Sequence, residues 1–95
     1  MPDDVQILWD LEEDPDGNVQ HLAANEVTVE EYVEVFTGNY EHATLSRESG
    51  RPITFGWTST GKHIAVVWDE VQPDEPLIIR PVTAFATPPR RRKRR

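Results

Sequence analysis

The chain has 95 residues, enough for one domain with a small core. It contains no cysteine, which excludes a disulfide framework, a thiolate metal site and a cysteine nucleophile. The net charge of -7 is divided unevenly: residues 90–95, Arg-Arg-Arg-Lys-Arg-Arg, carry +6, and the rest sets four basic side chains against 17 acidic ones, a net of -13.

No apolar run approaches the roughly 18 residues that a membrane-spanning helix needs. The opening Met1-Pro2-Asp3-Asp4 is acidic where a secretory leader is basic and then apolar. The expectation is a soluble, cytoplasmic α+β domain over residues 1–87, followed by a disordered basic tail over 88–95, with Pro88-Pro89 marking the boundary.

Val5 to Trp9 is β-rich and reads as a first strand. Asp10 to Gly17 is acidic and ends in a turn signal. Its Asp14, Asp16 and Asn18 alternate as calcium ligands do, but Gly17 falls one position early for a calcium loop and no Glu follows at the required spacing. Asp16 or Asn18 is therefore read as the N-cap of a helix over 18–26, with Asn25 as its C-cap. Thr28 and Glu31 have the spacing of a capping box, and Val27 and Tyr32 that of a hydrophobic staple. They open a second helix that runs to Gly38.

The remainder reads as strands: a weak one over 42–47, one over 51–59, the strongest over 62–71, and a last one over 77–86. Along 62–71, His63, Ala65 and Val67 fall on one face and Ile64, Val66 and Trp68 on the other. With both faces mostly apolar, this strand is expected in the centre of the sheet. Pro81 predicts an edge or a bulge in the last strand. The order β-α-α-β-β-β-β, with short turns, predicts an antiparallel four- to five-stranded sheet with two N-terminal helices on one face. Trp9, Trp57 and Trp68 are expected in the core, with base stacking as the alternative, and His21 is expected to be at least half-buried.

The three histidines, His21, His42 and His63, lie on different elements without metal-ligand spacing. No phosphate-binding glycine loop or serine nucleophile motif occurs, and no metal or cofactor is implied. The scarce residues are the informative ones. Arg51, Lys62 and Arg80 either pair with surplus carboxylates or form an anion site on the sheet.

Several motifs in order resemble one family. Ile7-Leu8-Trp9-Asp10 is followed by Asn18 and His21, then by Val27-Thr28-Val29-Glu30-Glu31 and Val35-Phe36. Arg51 lies five residues before Gly56, Gly61-Lys62 opens the next strand, and Arg80-Pro81-Val82-Thr83-Ala84 follows. Over roughly residues 6–87 this pattern resembles the BrnT-type toxins of the RelE-like superfamily. The resemblance implies a RelE-like α+β fold, metal-independent RNA cleavage and an antitoxin partner. It carries Arg51 and Arg80 over as clamps on the scissile phosphate, with Lys62 as a weaker third. His63 is a candidate acid or base by its nearness to Lys62 in sequence alone. RNA contact is expected through Arg51, Arg80 and the basic tail. Phe85 stands where the family carries a second Arg, the helix around His21 has no Lys, and Pro88-Pro89 and the basic run replace a C-terminal helix. These departures favour a second reading, a non-enzymatic protein-interaction module of the same fold.

Overall fold

A computed structural model describes residues 5–74 and 76–87; the expected basic tail lies outside the described residues. The elements follow the expected order: β1 (Val5–Ile7), α1 (Asn18–Ala24), α2 (Val29–Asn39), β2 (Thr44–Leu45), β3 (Pro52–Trp57), β4 (His63–Gln72) and β5 (Leu77–Ala86). No helix among the described residues is long and apolar enough to cross a membrane.

The five strands form one sheet in the order β1-β5-β4-β3-β2. The pairs from β2 to β5 are antiparallel, as short turns dictate. β1 instead runs parallel to β5, with Val5 opposite Leu77 and Ile7 opposite Ile79, so the sheet is mixed rather than all-antiparallel. Turn length sets direction only between consecutive strands. β1 and β5 are separated by both helices and three strands, and no local rule fixes their relative sense.

α2 begins as its sequence signals. The Thr28 hydroxyl accepts from the Glu31 amide at 3.1 Å, the Glu31 carboxylate accepts from the Thr28 amide at 3.0 Å, and Val27 and Tyr32 are both buried. The helix passes Gly38 by one residue and ends at Asn39. α1 differs from expectation at its start. Its N-cap is Gly17, and neither Asp16 nor Asn18 caps it. The Asp10 carboxylate, from the chain before the helix, takes over by accepting from the Asn18 amide at 2.8 Å. Asn25 is the C-cap, and the next residue, Glu26, adopts the left-handed conformation with φ 64°.

Both helices pack on one face of the sheet. Leu22, Tyr32, Val35 and Phe36 meet Ile64, Val66, Trp68, Leu77, Ile79 and Ala84 there. The buried Tyr32 hydroxyl donates to the Val67 carbonyl at 2.7 Å. Trp9 sets its edge on Tyr32 at 5.5 Å and Trp68 on Phe36 at 4.8 Å, so two of the three tryptophans are core aromatics. α2 approaches β3 at Gly56, where an added Cβ would lie 3.1 Å from Val35 Cγ1 and 2.5 Å from Asn39 Nδ2.

β4 is central as expected. The expected strand over 42–47 shrinks to Thr44–Leu45 because the chain first closes a 3-10 turn, Tyr40–His42. Pro81 marks a change in β5 rather than a simple edge. β1 pairs only with Leu77–Ile79, so the first part of β5 is interior. Register shifts at Val67/Trp68, leaving Val82 as the extra residue of a bulge. Beyond it β5 has α1 alongside in place of a strand, and Asn18 Nδ2 and Asn25 Nδ2 donate to the Pro81 and Ala84 carbonyls at 3.1 and 2.9 Å. Ladder hydrogen bonds are thus replaced by side-chain ones.

Among the described residues, the opposite face of the sheet carries no helix. A small apolar patch of Ile53, Ala65, Val67 and Val82 forms its floor. Phe55, Trp57 and Phe85 stand above it, exposed at 44%, 59% and 39%. Trp57 is therefore on the open face, not in the core.

Candidate functional site

Residues far apart in sequence converge at one end of the open face. Asp10 and Asn18 grip each other: the Asn18 side-chain oxygen accepts from the Asp10 amide at 2.9 Å, and Asp10 accepts from the Asn18 amide. Asn18, only 4% exposed, also donates to the Leu8 carbonyl at 3.0 Å. This fixes the end of β1, the start of α1 and β5 to one another. Gly17 is required at that junction because an added Cβ would lie 2.6 Å from Asp10 Cβ. The Asp10 carboxylate then takes Arg80 Nη2 at 2.7 Å. The Asn18 amide first, against a smaller opposing effect of burial, and then Arg80 hold the Asp10 carboxyl below its ordinary value.

Asp69 stands opposite Arg80 in the β4–β5 ladder and accepts from Arg51 Nε at 2.6 Å. The result is an alternating row, Arg51–Asp69 beside Arg80–Asp10, around a cavity of about 230 Å³. His21 lines the same cavity and is exposed, where burial was expected. Its place follows from helix geometry, one turn after Asn18 on α1. Asp10 is gripped by Asn18 and Arg80, not by His21.

The four residues singled out from sequence fall into two pairs. Arg51 and Arg80 share the cavity. His63 opens β4 six positions from Asp69, about 20 Å at the rise of a strand, and Lys62 immediately precedes it. Lys62 Nζ donates to Glu31 at 3.2 Å and to the Glu26 carbonyl at 2.5 Å. The His63 ring lies parallel to Phe55 at 6.3 Å and tilted against Trp57 at 5.1 Å, with Nδ1 2.8 Å from the Thr87 hydroxyl. Adjacency in sequence linked Lys62 and His63 to each other but not to the arginines.

The cavity and the aromatics are continuous. Successive rungs on the open face run from Trp57 and His63, to Phe55, Ala65 and Phe85, to Ile53, Val67 and Thr83, and end at Asp69 and Arg80. Ala65 is a small floor between two phenylalanine walls. Sequence reasoning missed this face. The signal was the alternation Ile53, Phe55, Trp57, which becomes informative once the register with β4 is known. Arg51, Lys62 and Arg80 are each paired with a carboxylate, the arrangement first weighed against an anion site.

No family model, curated protein or solved structure matches the chain.

Proposed function

We propose that the open face binds single-stranded RNA and cleaves it without a metal, as the resemblance to BrnT-type toxins implies. The supporting observation is the continuity of the Arg51–Arg80 cavity with the aromatic rungs. Exposed aromatics stack on bases whatever the sequence, and arginine forks grip the phosphate between them. A phosphate entering the cavity exchanges one anion for another. Arg51 and Asp69 are both about half exposed, and such a pair is worth only about 0–1 kcal/mol, so displacing Asp69 costs little. Asp10 is only 17% exposed and stays on the Asn18 amide, so Arg80 meets the phosphate with Asp10 still beside it. The two guanidinium groups then neutralise charge growing on the phosphoryl oxygens. His21, in the same cavity, takes the 2′-hydroxyl proton as that oxygen attacks phosphorus. The 5′-oxygen leaves with a proton from solvent, and the strand ends in a 2′,3′-cyclic phosphate. His63 serves the stacking surface, and Lys62 braces α2.

The second reading, an interaction module that docks a protein such as an antitoxin, is favoured by a different observation. With both arginines paired and Asp16 also lining the cavity, that end of the face has no surplus positive charge, while exposed aromatics stand on the same face. One experiment separates the two. Labelled single-stranded RNA is incubated with the full chain in chelator at low salt. Cleavage that falls at least about 100-fold in Arg80→Ala and in His21→Ala is the expected outcome, at the scale of losing one transition-state contact. Absence of cleavage by the unaltered chain overturns the ribonuclease reading in favour of the docking one.

A further inference from the structure

A groove of about 740 Å³ lies between the chain after β1 and the two helices. Trp9, Val19 and Val27 give it an apolar floor, and Glu12, Glu26 and Glu30 stand on its rim. We propose that this groove is the docking site of the chain's own basic segment, Arg90 to Arg95, bound in cis.

Three observations select that occupant. The first is charge. The segment carries +6 against a remainder of -13, and the carboxylates after β1 and on or between the helices divide into used and unused ones. Glu31 already holds Lys62 and Thr60, and Glu34 holds the Ser59 amide at 2.9 Å. Among the described residues, the Glu12, Glu26 and Glu30 carboxylates have no such partner. The second is position. Asn25, the residue before Glu26, donates to the Ala84 carbonyl, and the Thr87 amide donates to the His63 carbonyl at 2.7 Å. Lys62, next to His63, donates to the Glu26 carbonyl. The chain therefore leaves β5 at the Glu26 end of the groove. The third is length. The eight residues 88–95 reach at most about 26–29 Å when extended. α1, which walls the groove, is only about 10 Å long at helical rise.

Arginine side chains suit such a groove because their methylene stems lie on apolar surface while the guanidinium heads meet the rim. A short covalent link also holds the segment at an effective concentration in the millimolar range, so each contact need only be weak. The groove shares Asp10 with the Arg51–Arg80 cavity but is lined by neither arginine nor by His21.

The test is a comparison of backbone amide NMR shifts between the full chain and a full-length variant in which residues 90–95 are all serine. At low salt, the amides of Ala23, Glu26, Val27 and Glu30 are expected to differ more than those of any other residues before 85. The difference should vanish near 0.5 M salt, where charges are screened within a few ångströms. A full-length Glu26→Gln, Glu30→Gln variant should lose most of the same difference. Shifts confined to residues 84–87, or centred on Arg51 and Asp69, overturn the proposal. So do groove shifts that grow with protein concentration, because the occupant is then the tail of a second copy.

Discussion

The Tyr40 hydroxyl is buried and has no hydrogen-bond partner among the described residues, although its ring stacks on Phe36 at 5.1 Å. Burial first, and then the neighbouring Glu41 carboxylate, push its phenol above the ordinary value. An unpartnered buried hydroxyl costs about 1–3 kcal/mol, whereas the ring's contacts survive its removal. Tyr40→Phe is therefore expected to stabilise the fold by about 1 kcal/mol, read as a higher midpoint in urea. Glu31 shows the opposite economy. It is 5% exposed, and burial alone would raise its carboxyl. The Thr60 hydroxyl, the Thr28 amide and Lys62 outweigh that, and the carboxyl lies below its ordinary value. Asp10 is lowered as well. A carboxyl depressed in the folded state contributes stability that is complete above its unfolded value, near pH 4, and is lost as pH falls through the folded one. Urea midpoints should hold from pH 7 to about pH 5 and then fall. Glu31→Gln should lower the plateau and flatten the fall; an unchanged acid limb contradicts Glu31's part in it.

Elements were legible wherever their signals were local. The capping box and staple of α2 depend on residues within one turn, and they formed as read. The turns at Glu48-Ser49-Gly50 and Ser59-Thr60-Gly61 contain the left-handed glycines Gly50 and Gly61. The start of α1 was read wrongly because its amide is satisfied by Asp10, eight residues upstream, and no propensity anticipates that. The end of α1 carries a further consequence. Glu26 holds a left-handed backbone that glycine adopts without strain, whereas an L side chain pays about 1–2 kcal/mol. The Glu26 carbonyl that receives Lys62 survives removal of the side chain. Glu26→Gly is expected to raise the thermal midpoint by a few degrees, equivalent to about 1 kcal/mol; a lower midpoint would show that the carboxylate itself stabilises the fold.

At the scale of the whole molecule, the central place of β4 followed from its two apolar faces. The identity of the uncovered face did not, because alternation separates two faces without saying which one the helices take. Trp57 is the cost of that ambiguity: an aromatic in a strand suggests a core, and only the register beside His63 puts it in the open. The candidate site was half legible. Arg51 and Arg80 were found because basic residues are scarce, while His21 and the aromatic rungs required the tertiary arrangement. The exposure of Trp57 makes a direct prediction. Trp57→Ser should leave the urea midpoint within about 0.5 kcal/mol of the unaltered chain, as for other surface changes. Under the proposed function it should weaken RNA binding by about 5- to 100-fold, the scale of one lost stacking contact, as measured by fluorescence anisotropy.

The parallel pairing of β1 with β5 also has a consequence in time. During synthesis β1 emerges first, and the strand it needs emerges last among the described elements. Asp10 and Arg80 are separated by 70 positions. The helices and the β3–β4 hairpin can assemble while β1 waits, but the cavity between Arg51 and Arg80 has no existence until β5 slides between β1 and β4. A chain halted anywhere before Leu77 lacks Arg80 and the strand that joins β1 to β4, and so lacks the cavity altogether.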